Sequence, residues 1–266
     1  MKTIRSFIGL VGCGLALAMV SSLYAQTETQ GAAKVVRIKG SARVSVSGGA
    51  WQPLHVGDLV KPGSVIQTST EDKSYVDIVL GEGEGATPIV FGASGPPSSS
   101  LGYQPEAAQN VVRIYANTAL GVDKLTTMDT GAGPVSDTQL DLKAGHIFGS
   151  VKKMSAASKY EVKIPNGVAG IRGTTYDLTS DGVIRVTVGS VVLAYVDSSG
   201  KVVTQVIVAG QQFDARTQTL SPIPTSIGDQ MNDTAKATEF ITVAPITYIT
   251  VNPSLYNYVS PSGTGP

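Results

Sequence analysis

The chain has one cysteine, Cys13, in 266 residues. No disulfide can form within it, and a thiolate site would rest on that single residue. Histidine is almost as scarce. His55 and His146 lie far apart, and neither has the one-turn spacing of a metal-binding pair. An excess of one charge is also lacking, with 20 basic and 20 acidic residues. Without a basic surplus to meet phosphate backbones, nucleic acid is excluded as an expected partner. Long apolar runs are confined to residues 7–20, and that stretch falls short of the about 20 residues that cross a bilayer. No serine sits in a Gly-x-Ser-x-Gly elbow. No catalytic, cofactor or metal site is therefore expected.

The start of the chain reads as a targeting segment. Lys2 and Arg5 precede the apolar run, and small and polar residues follow up to Ala25. That is the layout of a secretory signal peptide over 1–25, cleaved after Ala25. The protein is then expected to be periplasmic or secreted. Leu10-Val11-Gly12-Cys13 also fits a lipoprotein box. Lipidation at Cys13 would be the route to membrane association. Loss of Lys2 and Arg5 leaves 18 basic against 20 acidic residues, a balance of −2.

The rest is rich in short alternating runs. Val76, Ile78 and Leu80 alternate around Asp77 and Val79. Tyr160, Val162 and Ile164 alternate with Glu161 and Lys163, and Ile184, Val186 and Val188 with Arg185 and Thr187. A period of two marks half-buried strands, and the spacing of glycine turns predicts an all-β domain over 34–214. Residues 191–196 and 202–208 are more continuously apolar and read as strands buried on both faces. Residues 81–110 hold no Lys or Arg and are crowded with Gly, Pro and Ser, which predicts a flexible insertion. One helix is expected over 226–240, with Ser226 as N-cap and Asp229 three residues on. A Pro/Tyr-rich tail, 241–266, follows.

Several weak motifs dissolve on inspection. Residues 81–86 fit Gly-x-Gly-x-x-Ala, but Thr87-Pro88 stands where a dinucleotide fold needs a helix. His55 and His146 read as surface or turn residues. Asp58 and Asp177 are a conceivable carboxylate pair that nothing in the sequence brings together. Arg172, between Ile171 and Gly173, reads as a partly buried guanidinium bonded to loop carbonyls, with an anion clamp as the functional alternative.

Four blocks in order resemble the FecR-like family of periplasmic domains. Residues 51–60 carry Leu54, Gly57 and Asp58 in a Leu-x-x-Gly-Asp turn. Residues 74–80 are similar to the family's central strand. Residues 140–148 carry Leu142 and Gly145 as Leu-x-x-Gly. Residues 168–178 carry the Arg172-Gly173-Thr174 signature. The resemblance implies a β-solenoid or roll and a non-enzymatic role outside the cytoplasm. It marks Gly57, Asp58, Gly145, Arg172, Gly173 and Thr174 as structural motif residues, with no cofactor. It also implies an envelope interaction or signal-sensing module, whose partner is an envelope protein or wall component. The alternative is a structural, surface-associated and possibly glycan-binding protein.

Overall fold

Alternating side chains place one face of each strand inside. In the stretch from Lys159 to Ile164, Tyr160, Val162 and Ile164 are buried while Glu161 and Lys163 are only half covered. The computed structural model describes residues 28–83, 110–131 and 133–239. The expected leader 1–25 with Cys13, residues 84–109 of the expected insertion, and the tail 241–266 lie outside the described residues.

The first half holds β1 (Glu28–Lys39), β2 (Ala42–Val46), β3 (Gln52–Pro53), β4 (Leu59–Val60), β5 (Ser64–Thr68), β6 (Tyr75–Gly83), β7 (Asn110–Tyr115) and β8 (Ala119–Asp129). The second half holds β9 (Pro134–Ala144), β10 (His146–Ser150), β11 (Lys159–Ile164), β12 (Gly167–Thr179), β13 (Val183–Val196), β14 (Val202–Val208), β15 (Gln211–Asp214) and β16 (Thr219–Pro222). Among the described residues one helix, α1 (Thr225–Glu239), follows. The fold is all-β.

The expected solenoid does not form. Eight strands instead close on themselves in the order β1-β6-β7-β10-β12-β11-β9-β8 and back to β1. Every pairing in this ring is antiparallel except β9 with β11, where Lys159 meets Asp137 and Lys163 meets Asp141. The parallel step arises because β10 leaves the β9 side to pair with β7 and β12. Closure satisfies backbone groups that an open stack would leave at its ends. From the ring, β5, β2 and β3 continue beyond β8, and β13 carries β14 and β15 beyond β12.

The core fills the ring. Val35, Ile78, Val112, Leu140, Ile147 and Val162 are fully buried within it. Tyr160 and Tyr176 meet there edge to face, with hydroxyls 3.2 Å apart. Burial pushes both phenols above their ordinary range. The neutral phenol is the native form, so this contribution is complete below the unfolded value of about 10. It is lost as pH climbs beyond that, at about 1.4 kcal/mol per pH unit for each phenol. Tyr160→Phe should give a shallower alkaline fall in urea stability than the wild type. Parallel slopes in the two proteins would show that these phenols ionise freely.

The apolar strands near the end of the domain differ from expectation. Val191, Leu193 and Tyr195 of β13 and Ile207 of β14 are buried, but Val192, Val196, Val202, Val206 and Val208 are exposed. These two strands are covered on one face only among the described residues.

Candidate functional site

The outer face of the ring carries polar side chains that the inward alternation leaves out. Val76 and Ile78 point in, so Asp77 points out, and the same rule exposes Arg113, Asp177 and Arg185 to that face. Register then aligns them. Arg37 lies opposite Asp77, Asp77 opposite Arg113, and Arg113 opposite Phe148. Phe148 lies opposite Asp177, Asp177 opposite Arg185, and Arg185 opposite Gln212. One residue per strand forms a row across six pairings.

The row is covered rather than solvated. The Asp77 carboxylate is fully buried and accepts two hydrogen bonds from Arg113, at 2.7 Å from Nε and 2.8 Å from Nη2. Arg37 approaches the same carboxylate at 3.7 Å. The Arg113 guanidinium also lies 4.1 Å from the centre of the Tyr75 ring. Burial opposes the Arg113 charge, but the hydrogen bonds and charge of Asp77 outweigh it and raise its pKa. Beyond Phe148 a second cluster begins. Asp177 accepts from Arg185 Nη1 at 2.9 Å and contacts His146 Nε2 at 2.5 Å. Arg185 also donates to Gln212 at 3.2 Å. The His146 ring stacks on Tyr115, with centres 4.3 Å apart. Burial pushes the Tyr115 phenol up, against a hydrogen bond with Thr234 of α1.

A cavity of about 600 Å³ opens between this face and α1. Tyr75, Tyr115, His146 and Arg185 form its floor, Lys39 and Lys73 its rim, and Ile227 and Met231 its helical wall. Its mix of rings, ammonium groups and one thioether suits a small polar ligand with an apolar side. Among the described residues no group of His, Cys, Asp and Glu fits a metal ion.

The six motif residues fall at three places, the turn at Gly57 and Asp58, the turn at Gly145, and Arg172-Gly173-Thr174 within β12. The Gly57 N–H donates to the Val35 carbonyl, and Asp58 accepts from the His55 N–H at 2.8 Å. Gly145 makes the turn before His146 and exchanges hydrogen bonds with Ser180. Thr174 is buried beside Gly173, and its hydroxyl bonds the Ser190 carbonyl at 2.8 Å. Arg172 corrects the sequence reading. Ile171 turns inward, so Arg172 turns outward and is exposed, with no guanidinium hydrogen bond among the described residues. Arg172→Ala should therefore leave the urea midpoint within about 0.5 kcal/mol of wild type. A loss of 2 kcal/mol would restore the buried reading.

His146 and Asp177 also differ from expectation. His146 is neither a bare surface residue nor a lone turn residue, and Asp177 partners His146 and Arg185 rather than Asp58. Asp77 reads in the sequence only as the polar member of an alternating strand, and Arg113 is not singled out at all, although a base beside Ile114 was visible. A charged residue in the middle of an otherwise apolar strand was the available signal.

Residues 107–191 match the family described as FecR protein. That stretch is FecR-like. The FecR match takes in Gly145 and the Arg172-Gly173-Thr174 block but not the earlier blocks at 51–60 and 74–80. Two crystal structures of a Parabacteroides distasonis ATCC 8503 protein, provisionally described as an anti-sigma factor, are similar to part of the chain. They were determined at 1.65 and 2.50 Å, with 12% and 11% identity and TM-scores of 0.32 and 0.31. Each match covers 43% of this chain and 50% of the other, so the chain spans half the length of the structures it matches. No curated protein matches. No helix among the described residues is long and apolar enough to cross a membrane.

Proposed function

We propose that this chain is an exported, non-enzymatic FecR-like module that senses or relays a state of the cell envelope by binding another envelope component. The FecR match over 107–191 carries the reading. The outer-face charges are consistent with a binding role. Asp77, Arg113, Asp177 and Arg185 are engaged with one another, which suits rigid support better than proton transfer. The leader over 1–25 supports export, and Gly57, Asp58, Gly145 and Thr174 act by holding turns.

The test is photo-cross-linking in intact cells from Trp51, an exposed ring under the Arg43 guanidinium, and from Lys73 on the cavity rim. A discrete adduct with one envelope protein is expected, on a chain whose N-terminus is Gln26. The cavity favours a second reading, a structural and glycan-binding surface protein. In that case the protein sediments with wall or outer membrane and forms no protein adduct from either position.

A further inference from the structure

Among the described residues β14 pairs with β13 alone, which leaves its other edge without a strand partner there. The Val196 N–H of β13 donates to the Asn166 carbonyl, away from β14. Backbone groups alternate sides along a strand, so Val191, Leu193 and Tyr195 face β14 and meet Val203, Gln205 and Ile207. The groups of Val202, Thr204, Val206 and Val208 therefore face outward. Two are capped locally. Gln205 Nε2 donates to the Val206 carbonyl at 2.7 Å, and the Val208 N–H donates to Gln211 Oε1 at 3.1 Å. The Val202 and Thr204 groups and the Val206 N–H have no such cap among the described residues.

Sheets protect edges with charges, prolines, bulges or a cover. The seven residues of β14 include no charge and no proline, and the pairing with β13 runs without a bulge. Val202, Val206 and Val208 are 67%, 49% and 45% exposed. A cover is the remaining device.

The chain contains a segment of matching length and chemistry. Residues 240–266 hold no Lys, Arg, Asp or Glu. Within them, 246–252 is a seven-residue run bounded by Pro245 and Pro253, and Ile246, Thr247, Tyr248, Ile249, Thr250 and Val251 are all β-branched or aromatic. Such residues favour strands, and the flanking prolines would end a ladder. The preceding helix, α1, touches β12 and β13, so only six residues, 240–245, separate the run from an element already seated on this sheet. Six extended residues span about 20 Å, roughly four strand spacings. We propose that residues 246–252 add to the outer edge of β14 as a further strand and shield it from other chains.

Residue-resolved hydrogen exchange on the full chain tests this, beside Tyr248→Pro and Thr250→Pro. The amides of Val202, Thr204 and Val206 should exchange about ten-fold or more faster in either variant, at every protein concentration, while β7 and β10 keep their protection. Equal rates in wild type and variants would overturn the proposal. So would protection that grows with concentration, because the cover would then be a second copy. An independent check uses Cys13→Ser chains with Thr204→Cys and one further cysteine at 247, 249 or 251. An intramolecular disulfide is expected from at least one pair, and disulfides only between copies would again overturn it.

Discussion

Asp77→Ala should destabilise the domain by about 3–5 kcal/mol, because it strands a buried guanidinium. The carboxylate is fully buried, and Arg113, 8% exposed, spends two donors on it. Without it Arg113 keeps the Tyr75 face but no counter-charge. Arg37, at 3.7 Å from the carboxylate, would add a second positive charge to the vacated position. Asp77→Asn should cost less, since one acceptor survives. Asp77→Leu combined with Arg113→Met should recover most of the loss, because an apolar pair avoids the desolvation of two charges. The double variant should therefore sit far from the sum of its single variants, as contacting residues do. Urea denaturation of wild type, Asp77→Ala, Asp77→Asn, the two single variants Asp77→Leu and Arg113→Met, and the double variant measures this. A cost below about 1 kcal/mol for Asp77→Ala would mean that water reaches the pair.

Gly145→Ala should be as damaging, at about 3 kcal/mol or more, from two additive causes. The residue has a φ of 91°, which an L side chain resists. An added Cβ would also lie 2.6 Å from the Asn117 carbonyl oxygen and 2.6 Å from the Thr118 Cα. That backbone has little room to move. The Asn117 N–H is bound to the Ser69 carbonyl, and the Thr118 N–H is bound to the Thr68 hydroxyl. A shift at Gly145 would also move His146, whose N–H is held by Thr118 Oγ1 at 3.0 Å and whose ring bridges Tyr115 and Asp177. Gly57 is the internal control. Its φ is 97°, but an added Cβ would meet nothing within 4 Å. Gly57→Ala should cost only the backbone strain, about 1–2 kcal/mol. Equal losses at the two glycines would show that crowding at Gly145 contributes nothing.

The two experiments probe different levels of the fold. Gly145 was visible in the sequence as part of a Leu-x-x-Gly turn, while the weight it bears depends on a second turn, between β7 and β8, pressed against it. Asp77 looked like an ordinary exposed member of an alternating strand. Its burial depends on Arg113, 36 residues away.

Local periodicity determined what each segment could be. Alternation is a property of neighbouring residues, so Val76, Ile78 and Leu80, or Tyr160, Val162 and Ile164, declare a strand and its inner face without reference to the rest of the chain. Applied strictly, the same rule places Arg172 outside, because Ile171 lies inside. Reading its neighbours as uniformly apolar hid that. The tertiary structure decided which strands meet. Backbone hydrogen bonds carry no residue label, and nothing in residues 134–144 or 159–164 announces that β9 and β11 pair in parallel and close the ring. Closure then sets every register at once. Registers bring Arg37, Asp77 and Arg113 into one row and His146 against Asp177 across 31 residues. The same closure leaves β14 outside the ring, with an apolar face and no strand partner but β13 among the described residues, because the ring is complete without it.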